Sequence, residues 1–247
     1  KNFVSHRSWY DMGRLMSKAN IVTTPTPLSA QTMSHKAQLD YVLPVSNGID
    51  VAKYELQLGV TVEPHEHPTA LFVGRLAVEK NVDVLLKALT LTDPALNVHA
   101  EIIGDGEQRD YLRTLAVDLG VEDRVNFRGL VSDEELRTAY LRADVFTQPC
   151  TAELQSLASL EAMSASTPVV LANALALPHL VSEGVNGYLF EPYNAQDMAD
   201  KMNLVLGASK ETQHAMGRAS HNFAAKHAHE KVLDVVERMY HGATSDE

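Results

Sequence analysis

The chain predicts an α/β fold, a doubly wound parallel sheet covered by helices on both faces, together with a fragment of a second α/β domain. From residue 69 onward, short apolar runs alternate with helical patterns, each run closed by a turn signal. Such alternation builds parallel strands joined by helical crossovers. The runs are also continuously apolar, as in Ala70-Leu-Phe-Val73 and Pro168-Val-Val-Leu171, which suits strands buried on both faces.

The elements follow in order. Residues 5–18 are helical in pattern, 21–24 strand-like, and Pro25 and Pro27 break the chain before a helix near 28–35. Residues 41–45 read as a strand that ends at the turn Ser46-Asn-Gly48, and 62–68 as a loop. Strand 70–74 precedes an amphipathic helix over 82–91, and strand 98–103 turns at Gly104-Asp-Gly106 into a helix through Leu119. Strand 124–127 leads to Ser132-Asp-Glu-Glu135, a capping box in which the serine and the glutamate each satisfy one free amide. Residues 144–148, 168–171 and 187–190 supply further strands, and 208–242 carry two helical segments. We read residues 1–45 as the terminal portion of another domain, 46–207 as the main domain and 208–247 as helices packing on both. This organisation is Rossmann-like, and in such sheets ligands bind outside the carboxyl ends of the strands. Arg75, Asp105, Arg128 and Glu153 all fall at such ends.

Composition narrows the function classes. A chain of 247 residues with 45% hydrophobic side chains can bury a sizeable core. Its formal charge of −11, with no offsetting basic stripe, argues against bulk nucleic-acid binding. The single cysteine, Cys150, excludes an internal disulfide framework and reads as a buried thiol. No stretch approaches the ~18 apolar residues of a membrane span, no signal peptide is visible, and a cytoplasmic location is expected. The chain opens at Lys1 without methionine, which we take as a sign of a longer protein. His65-Glu-His67 and the group His221, His227, His229 offer no convincing ligand set, so no metal is assigned and these histidines read as surface or tail residues. Trp9 and Tyr10 read as packing residues of the first domain.

Glu153 and Glu161 bracket a helix start near Gln155. The first amides of that helix and its positive dipole end suit a phosphate. At 1.5 Å per residue the two carboxylates are on the order of 10 Å apart, about the span of a sugar diphosphate. A nucleotide sugar held by two acids and a helix end fits this arrangement, and so do two solvated helix carboxylates.

Several motifs in fixed order decide between them. Val45-Ser-Asn-Gly-Ile-Asp50, Phe72-Val-Gly-Arg-Leu-Ala-Val-Glu-Lys80, Ile102-Ile-Gly-Asp-Gly106, Val125-Asn-Phe-Arg-Gly129, residues 153–161, Pro168-Val-Val170 and Asn186-Gly-Tyr-Leu-Phe190 resemble the pattern of family-4 retaining glycosyltransferases with the GT-B fold. The resemblance implies that 46–207 is a nucleotide-sugar donor-binding domain and that 1–45 ends the acceptor domain. Arg75 and Lys80 look like the pair that contacts the donor diphosphate, where a guanidinium and an ammonium stabilise the charge of the leaving group without a metal. Glu161 looks like the ribose acceptor and Glu153 like the residue near the donor sugar, so that Glu153, Arg75 and Lys80 form the catalytic set. The amides of Leu154, Gln155, Ser156 and Leu157 are expected to hold the phosphates. Gly74 belongs to the same turn as Arg75. Backbone groups around Phe127, Arg128 and Leu130 are expected to flank the base, and Asp105 either touches ligand or fixes its own loop.

The expected activity is retaining transfer of a hexose from a UDP- or GDP-sugar. Glu153-Leu-Gln-Ser156 departs from the commoner Glu-Gly-Phe form and is similar to relatives acting on membrane lipids. That leans the acceptor toward a lipid or lipid-linked glycan and allows peripheral association with the inner face of a membrane. With most of the acceptor domain missing, this chain is expected to bind the donor but not to turn over alone. A nucleotide-sugar 2-epimerase of related fold and a non-catalytic nucleotide-binding module are the alternatives. Ser166 stands where relatives usually carry glycine.

Overall fold

The computed structural model describes residues 2–55 and 62–244. Contacts divide it into a smaller unit, Lys1–Ile49 with His227–Glu247, and a larger one, Asp50–Lys226.

The smaller unit opens with α1 (Asn2–Met16), β1 (Thr23–Thr24), α2 (Pro27–Ala37) and β2 (Leu43–Pro44). Helix α2 starts after Thr26, whose hydroxyl accepts from the Ser29 amide while the Ser29 hydroxyl accepts from the Thr26 amide. Pro27 supplies a preset first-turn φ. β1 and β2 pair in parallel, Thr23 with Leu43 and Thr24 with Pro44. Both strands are shorter than expected: the Val45 amide still donates to the Thr24 carbonyl, but the Thr26 amide turns to the Ser29 hydroxyl and opens α2 instead of extending the ladder. α1 lies so close to α2 that a Cβ on Gly13 would strike the Ala37 carbonyl. Trp9 packs here under the Lys36 ammonium, 5.4 Å from the ring centroid, whereas Tyr10 is exposed.

The larger unit begins with a single 3-10 turn, Ala52–Tyr54. It then alternates β3 (Thr69–Val73), α3 (Val82–Leu89), β4 (His99–Ile103), α4 (Arg109–Asp118), β5 (Val125–Gly129), α5 (Asp133–Arg142), β6 (Val145–Gln148), α6 (Leu157–Ser164), β7 (Val169–Ala172) and β8 (Gly187–Phe190), closing with α7 (Ala195–Leu206) and α8 (Lys210–Ala224). The last helix, α9 (His229–Thr244), returns to the smaller unit. There Ile49 exchanges backbone hydrogen bonds with His227 and His229.

The six strands are ordered β5-β4-β3-β6-β7-β8, and every pair is parallel. The chain therefore runs outward from β3 to β5, then crosses back to β6 and runs the other way. Right-handed crossovers send the helices of the two halves to opposite faces. α3 packs against α4 and α7, and α6 against α5 and α8. Ala70, Leu71, Phe72, Val169, Val170 and Leu171 are fully buried, as strands covered on both sides require. The order reverses between β3 and β6, so the loops leaving those strands flank the crevice where such folds bind ligands.

The carboxyl ends of β3 and β4 approach closely. A Cβ on Gly104, whose φ is +130°, would overlap the Gly74 carbonyl oxygen, so only glycine fits. The Gly104 amide donates to the Gly129 carbonyl at 2.8 Å, joining the end of β5 to the same cluster.

Candidate functional site

The loop after β3 and the loop after β6 are fastened together at the switch point. Asn81, buried and left-handed with φ 50°, directs its side-chain amide at the carbonyls of Glu79 and Pro149, each at 3.1 Å, and at the Thr151 hydroxyl at 3.3 Å. Asparagine tolerates this backbone region better than most residues. The clamp brings Lys80 to Glu153, Nζ to Oε1 2.5 Å, with the two side chains only 20% and 14% exposed. Arg75, expected beside Lys80, is 64% exposed and pairs with Glu79 at 2.6 Å. Gly74 lies at the foot of this loop, its amide donating to the Ile103 carbonyl.

The helix beyond Glu153 begins at Leu157, two residues later than Gln155. Ser156 is the N-cap, its hydroxyl accepting from the Ser159 amide at 3.3 Å, and serine in that role competes well with further helix. Gln155 and Ser156 are buried, and Leu154 and Leu157 are exposed. Cys150 is buried, and burial pushes its thiol up, away from nucleophilic use. The Glu153 carbonyl accepts from the Ala176 amide, so the loop after β7 also adjoins the site.

Glu161, near the middle of α6, accepts a hydrogen bond on each carboxylate oxygen. Tyr54 donates to Oε1 at 3.0 Å and Tyr140 to Oε2 at 2.9 Å.

The remaining expected residues lie in the loop after β4, in β5 itself and just beyond it. Asp105 accepts from the Gly106 amide at 2.8 Å and from Arg109 at 3.1 Å, so its carboxylate fixes its own loop. Phe127 is half-buried under Arg113, and Leu130 is 82% exposed. The β4–β5 register shifts between Ile102 and Ile103 and skips Arg128, which re-aims that side chain as a bulge does. Arg128 bridges Glu101 at 2.6 Å and Glu135 at 3.0 Å. Burial pushes the Glu101 carboxyl up, but His65 and Arg128 outweigh it and hold the group below the ordinary carboxylate range. The Arg128 side chain is thus engaged in bracing the sheet edge.

Two histidines read as surface or tail residues are instead structural. His65 is mostly buried, 3.4 Å from Glu101, and His221 on α8 bonds to the Ser164 carbonyl at 2.9 Å. Among the described residues, no group of three or more His, Cys, Asp or Glu side chains is arranged to hold a metal, and no helix is long and apolar enough to cross a membrane.

A family model described as glycosyl transferases group 1 matches residues 55–223, more than half of the chain. The chain belongs to the group 1 glycosyltransferases. It is 30% identical over 242 residues to a D-inositol 3-phosphate glycosyltransferase of Mycolicibacterium smegmatis, covering 94% of this chain and 55% of that protein. It is 31% identical over 176 residues to the sulfoquinovosyl transferase SQD2 of Arabidopsis thaliana, covering 70% and 33%. The chain therefore spans between a third and just over half of the length of those relatives. Among solved structures, Anabaena Alr3699/HepE in complex with UDP superposes with a TM-score of 0.83 at 24% identity, over 98% of this chain and 68% of that one. Sucrose-phosphate synthase from Thermosynechococcus elongatus gives 0.85 at 18%, over 98% and 62%. At these identities the likeness concerns the fold, which is that of GT-B glycosyltransferases.

Three residues near the expected side chains were not singled out by the sequence: Asn81, Tyr54 and Tyr140. Asn81 had a local signal, a turn-prone residue between Lys80 and an apolar helix. The tyrosines had none, because Tyr54 meets Glu161 across 107 residues.

Proposed function

We propose that this chain is the donor-binding part of a retaining, metal-independent hexosyltransferase that uses a nucleoside diphosphate sugar. The observation that carries the reading is the Lys80–Glu153 pair, half-enclosed at the β3/β6 switch point. Lys80 and, more peripherally, Arg75 neutralise the departing diphosphate, helped by the amino end of α6. Glu153, drawn from Lys80 once phosphate binds that ammonium, faces the donor sugar, and Glu161 accepts from the ribose hydroxyls.

Alr3699/HepE was crystallised with UDP and with UDP-glucose, which favours uridine over guanosine as the base here. The Glu153-Leu-Gln-Ser156 form leans the acceptor toward a membrane lipid or lipid-linked glycan, reached through the acceptor domain at the inner face of the membrane. This reading also makes the 247-residue chain inactive by itself.

Calorimetric titration of the chain with UDP and GDP, with and without EDTA, tests the proposal. We expect UDP to bind more tightly than GDP, EDTA to change nothing, and Glu161→Ala and Arg75→Ala to weaken binding. Absence of binding to both nucleotides refutes the donor assignment, and robust sugar transfer by the isolated chain refutes its dependence on an acceptor domain.

A further inference from the structure

Glu161 is gripped from two sides by elements distant in sequence. Tyr54 comes from the 3-10 turn that opens the larger unit and Tyr140 from α5. Their rings meet edge to face, centroids 5.3 Å apart with planes at 88°, an arrangement aromatic pairs favour. Tyr140 is fully buried and Tyr54 nearly so. Burial first, and then the neighbouring Glu161 carboxylate, push both phenols up, so both stay protonated and act as donors at neutral pH.

The consequence for Glu161 is geometric. A carboxylate offers about four acceptor positions, two on each oxygen. The phenols take one on each oxygen and leave one on each. A vicinal diol presents two hydroxyls side by side, each needing an acceptor, and it matches that remaining pair. Without the phenols the terminal torsion of a glutamate is broad, and ordering the side chain costs rotamer entropy on binding.

We propose that Tyr54 and Tyr140 are positioning residues that aim Glu161, so that the site selects nucleotides carrying both the 2′- and the 3′-hydroxyl of ribose. The proposal rests on the reading of Glu161 as the ribose acceptor. It assigns the tyrosines no contact with ligand; they act through the carboxylate. A site built to hydrogen-bond a hydroxyl discriminates strongly against the analogue that lacks it, and here the phenols supply the rigidity on which that discrimination depends.

The test is the ratio of affinities for UDP and 2′-deoxy-UDP, measured by calorimetry on the 247-residue chain. In the wild type, UDP should bind about tenfold or more tightly, as expected for a lost hydrogen bond to a charged group. Tyr54→Phe keeps the ring contact and removes only the hydroxyl. It should reduce the ratio to about threefold or less, and it should lower the melting temperature by only a few degrees, so that the variant stays folded. Glu161→Ala should abolish the preference, and adding Tyr54→Phe to it should change nothing further. Tyr140→Phe serves as a second variant. A preference lost in Glu161→Ala but intact in a folded Tyr54→Phe overturns the clasp and leaves the donor reading standing. No UDP binding by the wild type overturns both.

Discussion

Removing the Arg128 guanidinium isolates a carboxylate that the sheet encloses. The Glu101 side chain is 5% exposed and takes its shortest contact, 2.6 Å, from Arg128, whose own side chain is 28% exposed. Breaking a buried pair from one side costs about 3–5 kcal/mol, because the surviving charge has neither water nor partner. His65 remains 3.4 Å away in Arg128→Ala, so the lower end, about 3 kcal/mol, applies. With a urea m-value of about 2–3 kcal/mol/M, the unfolding midpoint falls by about 1 M. Far-UV circular dichroism against urea at neutral pH measures this. The pH dependence supplies an independent sign. In the wild type the Glu101 carboxyl lies below its ordinary value of 4.5. Its contribution is therefore complete above that value and is lost as pH falls through the lowered one. In Arg128→Ala burial dominates and pushes the carboxyl up, so the penalty is present at neutral pH and relieved on acidification. The gap between the two proteins should narrow toward acid. Arg128→Met combined with Glu101→Leu should recover most of the loss. A midpoint for Arg128→Ala within about 0.3 M of the wild type refutes the bracing role.

Further expectations concern the switch point and one strained turn. Lys80→Ala should reduce UDP affinity about tenfold or more, and Arg75→Ala by a smaller factor, since a charge as exposed as Arg75 is screened; calorimetry ranks the two, and equal losses contradict the ranking. Ser166 holds φ +64° between α6 and β7. Ser166→Gly should raise stability by about 0.5 kcal/mol, the relief of a left-handed backbone less the entropy of glycine, and a lower urea midpoint contradicts it.

What the sequence disclosed depended on how local each signal was. The strand cores were legible because Ala70–Phe72 and Val169–Leu171 are apolar without interruption. The Ser132–Glu135 capping box formed as read, with bonds of 2.9 and 3.3 Å between neighbours on one turn. α6 starts at Leu157 and not near Gln155, because the Ser156 hydroxyl accepts from the Ser159 amide as N-cap and keeps the preceding residues out of the helix. The Lys80–Glu153 contact spans 73 residues, and only the order of motifs pointed toward it. Nothing in any window around His65 or Arg128 indicated that Glu101, on a buried strand between them in the fold, would claim both. Such pairings arise from the sheet order, which periodicity does not encode.

The Asn81 clamp bears on how the site meets its ligand. Two loops that would otherwise have to be ordered on encounter are already joined by amide hydrogen bonds to Pro149 and Thr151. The conformational entropy of bringing them together is spent during folding, and association is left with a smaller cost. On the proposed donor reading, what is left to binding is electrostatic: Lys80 would trade the Glu153 carboxylate for a phosphate. Under that reading Glu153 is a resident surrogate for the anion, holding the ammonium at the switch point in the place a phosphate would claim.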